Sequence, residues 1–212
     1  NTPLYGISQT FKGKNSNDKK KGEREMKHIS VISGSPRKGG NSETLTKAFL
    51  SFLPENTELD WFFVSDMNIG DCASCRRCWS NGNPCVINDD MEQIYSSITR
   101  ADILIFVSPL YWFSWSAQIK RVIDRLYPYT SEKALSCLAG KNAVLVCCGA
   151  DSEQKIFEGL LSSFRQMCNH MGLTISGEFC ETGLDDRDEA LRRRDIIEKM
   201  GKEGHRILSE QL

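Results

Sequence analysis

Five short apolar runs, each followed by a segment of helical periodicity, constrain this chain more than any other feature. The runs occupy residues 29–33, 59–64, 102–108, 143–148 and 173–179. They are brief and rich in β-branched and aromatic residues, as strands buried on both faces are. Between them lie stretches with apolar residues at helical spacing. Leu45, Ala48, Phe49, Phe52 and Leu53 follow the first run, Met91, Ile94, Tyr95 and Ile98 precede the third, and Ile119, Val122, Ile123 and Leu126 follow it. A longer stripe carries Ile156, Leu160, Leu161, Phe164, Met167 and Met171, and a charged helix is expected over 186–208. Parallel strands need crossover connections, and these are right-handed. The expectation is an α/β protein with a doubly wound five-stranded parallel sheet of order 2-1-3-4-5. In such a sheet the ligand sits beyond the carboxyl ends of strands 1 and 3.

Residues 32–42, at the first of those ends, read Ile-Ser-Gly-Ser-Pro-Arg-Lys-Gly-Gly-Asn-Ser. The stretch leaves a strand and enters a helix, so unpaired backbone N–H groups and the positive end of the helix dipole face whatever lies there. Ser33, Ser35, Asn41, Ser42 and Thr44 add donors and Arg37 adds charge, which suits a phosphomonoester. The loop is neither common nucleotide fingerprint. Gly40 stands where a Walker loop needs lysine, and Pro36 stands where a Rossmann loop needs its second glycine.

The third run leads into Ser108-Pro-Leu-Tyr-Trp-Phe-Ser-Trp-Ser-Ala117, with four aromatics in five positions at the same expected edge. Pro109, Leu110, Tyr111, Trp112 and Phe113 could wall a flat ring, and Gly149 after the fourth run suits close approach. A third loop holds Cys72, Cys75, Cys78 and Cys85 in C-x2-C-x2-C-x6-C spacing. Four thiols so close can converge on an iron-sulfur cube, bind zinc, form a redox disulfide or remain reduced. Cys137, Cys147, Cys148, Cys168 and Cys180 are assigned to packing or chance exposure. Asp89 and Asp90 read as helix caps, Asp124 and Arg125 as members of structural ion pairs, and the three histidines as uninvolved in catalysis.

The loop G-S-P-R-x-G-x-N-S/T resembles that of flavodoxin-like FMN proteins. The stretch S-P-x-Y-W-F-x-x-x-A-Q-x-K-x-x-I-D-R from Ser108 to Arg125 resembles the flavin loop and helix of NAD(P)H-dependent FMN reductases and iron-sulfur flavoproteins. The resemblance covers residues 27 to about 180. One departure is Ser116, where many of these reductases carry proline; serine is itself an acceptable cap. It implies FMN, with its phosphate on the first loop and its ring on the second, and NAD(P)H as hydride donor. It further implies a small-molecule electron acceptor (a quinone, nitro or azo compound, flavin or metal ion), no essential side-chain acid or nucleophile, and a homodimer or homotetramer. The cysteine spacing resembles the site of a [4Fe-4S] cluster in iron-sulfur flavoproteins, whose partner would be a ferredoxin-like protein.

At 212 residues and 40% hydrophobic content, the chain can bury one core. Residues 1–25 carry a net +3, which leaves −4 for the remainder because the whole chain totals −1. That balance argues against nucleic acid. Met26 lies where a native start is expected, so residues 1–25 read as a disordered polar tail, of cloning or native origin, ahead of a domain over 26–212. The sequence has neither a secretory h-region nor an apolar run of membrane-spanning length, so a cytoplasmic protein without membrane contact is expected.

Overall fold

In a computed structural model, residues 26–211 are described, apart from 81–83, 132–133 and 135–136. The expected tail over 1–25 lies outside the described residues. Five strands, β1 (Lys27–Ser33), β2 (Thr57–Phe63), β3 (Ile103–Pro109), β4 (Asn142–Cys148) and β5 (Thr174–Glu181), form one all-parallel sheet. Their order is β2-β1-β3-β4-β5, as the sequence pattern predicts.

The strand period of two sorts the core onto both faces of this sheet. Ile103, Ile105 and Val107 of β3 face one side, packed with Leu45 and Phe49 of α1 (Asn41–Phe49). Leu104 and Phe106 face the other, with α2 (Met91–Arg100), α3 (Ala117–Asp124) and α4 (Glu158–His170). On α2 the stripe Met91, Ile94, Tyr95 and Ile98 is buried and the opposite face exposed.

The continuous terminal helix expected over 186–208 is corrected to two pieces, α5 (Glu189–Arg192) and α6 (Arg194–Gln211). The physical reason lies in competing hydrogen bonds. The Asn41 side chain accepts from Ala190 N, while the Glu189 carboxylate accepts from the amides of Asp185 and Asp186. Residues 185–188 are thereby kept out of the helix as part of a turned strap across the end of α1, and the long helix starts afresh at Arg194. It then covers the α1 face with Ile196, Met200, Ile207 and Leu208.

Candidate functional site

The loop after β1 is shaped by close approach. Gly34 N donates to Val107 O of β3 at 2.8 Å, and a Cβ on Gly34 would lie 2.5 Å from Ile119 Cβ. Only glycine lets the chain leave the sheet this near α3. Arg37 N then donates to Ser35 Oγ, Gly40 N donates to Arg37 O, and Gly39 adopts a φ of +68°. The first helical bond of α1 is Thr44 N to Gly40 O. Ahead of it, the amides of Asn41, Ser42 and Glu43 have no acceptor within the helix, which makes an anion-binding end. Burial of the Glu43 carboxyl would raise its pKa, but hydrogen bonds from Lys47 and Gly39 N outweigh this and hold it below the usual range.

The facing edge is a two-residue turn. Tyr111 and Ser114 exchange both backbone hydrogen bonds, leaving Trp112 at φ +48° and Phe113 at φ +62°. Bulky residues rarely adopt the left-handed region, which costs about 1–2 kcal/mol per residue. Trp112 is 93% exposed and Phe113 59%. Leu110 N donates to Cys148 O, and a Cβ on Gly159 would lie 2.7 Å from Phe113 O, so the turn is pinned from below. Ser116 caps α3, its hydroxyl donating to Gly34 O at 2.7 Å and accepting from Ile119 N. It thus joins the two loops.

These segments meet at the carboxyl ends of β1, β3 and β4 in a cleft lined by Ser35, Arg37, Asn41, Ser42, Pro109, Leu110, Tyr111, Gly149, Cys148, Ala150, Leu184 and Asp185. The first eight are sequence-predicted residues. Trp112 and Phe113 line an adjoining apolar cavity with Leu110, Ala150, Asp151 and Ile156. Ser33 is buried at the end of β1 with no partner for its hydroxyl, and Thr44 lies inside the first turn of α1. Neither lines the cleft. The Asn41 carboxamide is engaged elsewhere, donating to Asp186 O at 2.7 Å and accepting from Ala190 N at 2.9 Å.

Cys72, Cys75, Cys78 and Cys85 border a separate cavity of about 410 Å³, with Ile87, Asp124 and Tyr127. Ser74 and Arg76 lie in the left-handed region between the cysteines. The Arg77 backbone N–H, followed by its side chain, pulls the Cys75 thiol pKa down. Burial pushes the Cys78 thiol up, and Cys85, Cys75 and Cys72 push it further. Among the described residues no three His, Cys, Asp or Glu side chains are close enough to hold one metal ion. A cubane, with a thiolate on each of four separate irons, spans a wider set of thiols than one zinc ion does.

Both stems of this loop are clamped by Arg125. It holds Asp89 in a two-pronged pair at 2.7 and 3.0 Å and donates to Gly70 O and Ile87 O, while Asp89 accepts from Gly70 N and Met91 N. Asp89 is therefore a cap, as expected, and also the partner of Arg125. Asp124 pairs with Lys120 on the surface.

Residues 27–179 match the family described as NADPH-dependent FMN reductase. The chain belongs to that family. An iron-sulfur flavoprotein of Methanosarcina thermophila is 40% identical over 98 residues, covering 46% of this chain and 51% of that protein. A protein of Bacillus subtilis (strain 168), named as an NAD(P)H-dependent FMN-containing oxidoreductase, is 27% identical over 154 residues, covering 70% and 81%. The structure of an NAD(P)H:quinone oxidoreductase from Methanothermobacter marburgensis superposes with a TM-score of 0.64 at 21% identity, covering 85% and 95%, a likeness of fold. The chain spans about half the length of several iron-sulfur flavoproteins it matches.

The two loops expected to hold phosphate and ring both border the cleft, as does the end of β4 around Gly149, while Leu184 and Asp185 of the lining carry no signal in the sequence. Leu184 and Asp185 lie beyond the family match, in a stretch whose pattern reads as loop or helix.

Proposed function

We propose that this protein is an FMN-dependent oxidoreductase that takes hydride from NAD(P)H and passes reducing equivalents to a small-molecule acceptor. The carrying observation is the cleft itself, where a helix N-terminus with unpaired amides faces a strand end and an aromatic turn across one concave site. The fit to FMN rests on its donor set and on Gly149, where a Cβ would lie 2.9 Å from Ile156 Cδ1 and narrow the cleft. Ser35, Arg37, Ser42 and the α1 amides would hold the phosphate, and Pro109, Leu110 and Tyr111 the ring edge. When bound, FMN supplies the hydride and single-electron chemistry. The protein's residues bind and orient it, and Trp112 and Phe113 present an apolar wall beside it. These exposed rings also suit contacts within a homodimer or homotetramer.

A second reading has its own support. The four cysteines border one cavity, and the relatives include proteins named iron-sulfur flavoproteins. In that reading Cys72, Cys75, Cys78 and Cys85 hold a [4Fe-4S] cluster, and electrons leave to a ferredoxin-like partner. Purification without air, with a visible spectrum and iron, zinc and sulfide analysis, tests both. Flavin bleached by NAD(P)H without iron supports the reductase, about four irons with sulfide per chain support the second reading, and a colourless protein that takes up no FMN refutes both.

A further inference from the structure

We infer that residues 183–190 form a selectivity strap that admits a flavin mononucleotide and rejects the dinucleotide FAD, with Asn41 as its positioning residue. The inference rests on the proposed flavin site and concerns a segment outside the family match over 27–179.

Two sets of bonds hold the strap. On the side of β4, Gly183 N donates to Asp151 O and Leu184 N to Gly149 O, each at 2.9 Å. On the side of the phosphate loop, Arg37 Nη1 donates to Asp185 O at 3.1 Å, Arg187 donates to Lys38 O, and the Asn41 carboxamide grips Asp186 O and Ala190 N. The strap therefore bridges the two loops that border the phosphate end of the cleft, and Leu184 and Asp185 form part of the lining.

The chemistry follows from where each ligand ends. The phosphate of FMN is terminal, so its free oxygens can all meet loop donors. In FAD the same phosphate continues into a second phosphate and an adenosine, which must leave the cleft past the loop. There the extension meets a fixed backbone and Asp185, which lines the cleft. Arg192 pairs with the neighbouring Asp186 and Asp188, whereas Asp185 makes no ion pair among the described residues. A second phosphate near unpaired carboxylate is repelled, and a bond-held strap cannot move aside without losing its contacts. Asn41 acts through the strap: both ends of its carboxamide are used there.

The test is flavin titration of the full-length protein stripped of flavin, with FMN and FAD read by fluorescence quenching and folding checked by thermal melting. The wild type should bind FMN about 100-fold or more tightly than FAD, a gap of about 2.7 kcal/mol. Asn41→Ala, which removes the strap's two carboxamide bonds on the side of the phosphate loop and so loosens it there, should narrow that ratio at least about tenfold, chiefly by tightening FAD. Asp185→Ala, an exposed substitution that leaves every strap bond in place, should narrow it by a smaller factor that shrinks in high salt. An unchanged ratio in both variants overturns the proposal, as does an Asn41→Ala variant that loses FMN while FAD stays weak, since Asn41 would then be a phosphate ligand. A wild type that binds neither flavin overturns the flavin site itself and the strap proposal with it.

Discussion

Removing the Asp89 carboxylate would leave Arg125, whose side chain is only 1% exposed, as an unpaired charge inside the protein. An abandoned buried charge costs about 3–5 kcal/mol, so Asp89→Ala should lower the free energy of unfolding by that amount, read from the shifted midpoint of a urea titration. The pH dependence has a definite sign. Burial alone would raise the Asp89 pKa, but bonds from Arg125, Gly70 N and Met91 N outweigh it and hold the folded value below the ordinary one. Its stabilising contribution is thus complete above the usual carboxylate range and is lost as pH falls through the depressed value. Melting curves from neutral pH downward should show this loss in the wild type, and a smaller one in Asp89→Asn. At the cleft, Arg37→Ala removes a charged donor, worth about 1.5–3 kcal/mol when it bonds an anion. FMN affinity should fall at least about tenfold by equilibrium titration. Arg37 stands out in the sequence as charge beside a glycine-rich helix entry, and it lines the cleft. The clamp on Asp89 was legible only in outline, since a cap and an ion pair were each expected but not their union.

Among the elements, the turn at 111–114 and the contact of α1 with α6 make opposite predictions. Trp112 and Phe113 occupy left-handed positions that glycine adopts freely. Trp112 is almost wholly exposed, so Trp112→Gly removes strain and little packing and should raise stability by about 1 kcal/mol in thermal melting. A destabilised variant would instead show that the indole is buried in an assembly. At the other contact, a Cβ on Gly204 would lie 1.8 Å from Phe49 O, far inside contact distance. Gly204→Ala must push the helices apart and should cost at least about 1–3 kcal/mol, measured as a lower melting temperature. Aromatic density at the turn was visible in the sequence, but its two-residue form was not, because Trp and Phe are poor residues for positive φ. The late start of the terminal helices escaped for a related reason: local periodicity favours one helix from 186, and Asn41, some 150 residues earlier, supplies the competing bonds at Asp186 and Ala190.

For the whole molecule, the cysteine loop is separate from the strands, though not from the core. Its stems are closed by Arg125 and Asp89, Cys85 packs at the margin of the helical side of the core and Trp79 rests edge-on against Tyr129, while the strands pack with other residues. Stripping any iron with a chelator should therefore leave the far-ultraviolet circular dichroism and the flavin content unchanged, while abolishing any iron-sulfur absorbance. The same separation explains what was readable in advance. Alternating strand and helix periods report burial, which is local, so the parallel sheet, its order and the loops at its carboxyl edge all followed from the sequence. The close tracking of strands by their residue period also put Cys147 and Cys148 on opposite faces of β4. What the sequence determined by itself was the fold and the donor-rich loops, because periodicity and helix-end chemistry act over a few residues. Only the tertiary structure decided how the donors are divided between ligand and fold, since hydrogen bonds across the cleft commit the Asn41 carboxamide to the strap and one Arg37 nitrogen to Asp185 O, leaving the rest of the guanidinium for a ligand.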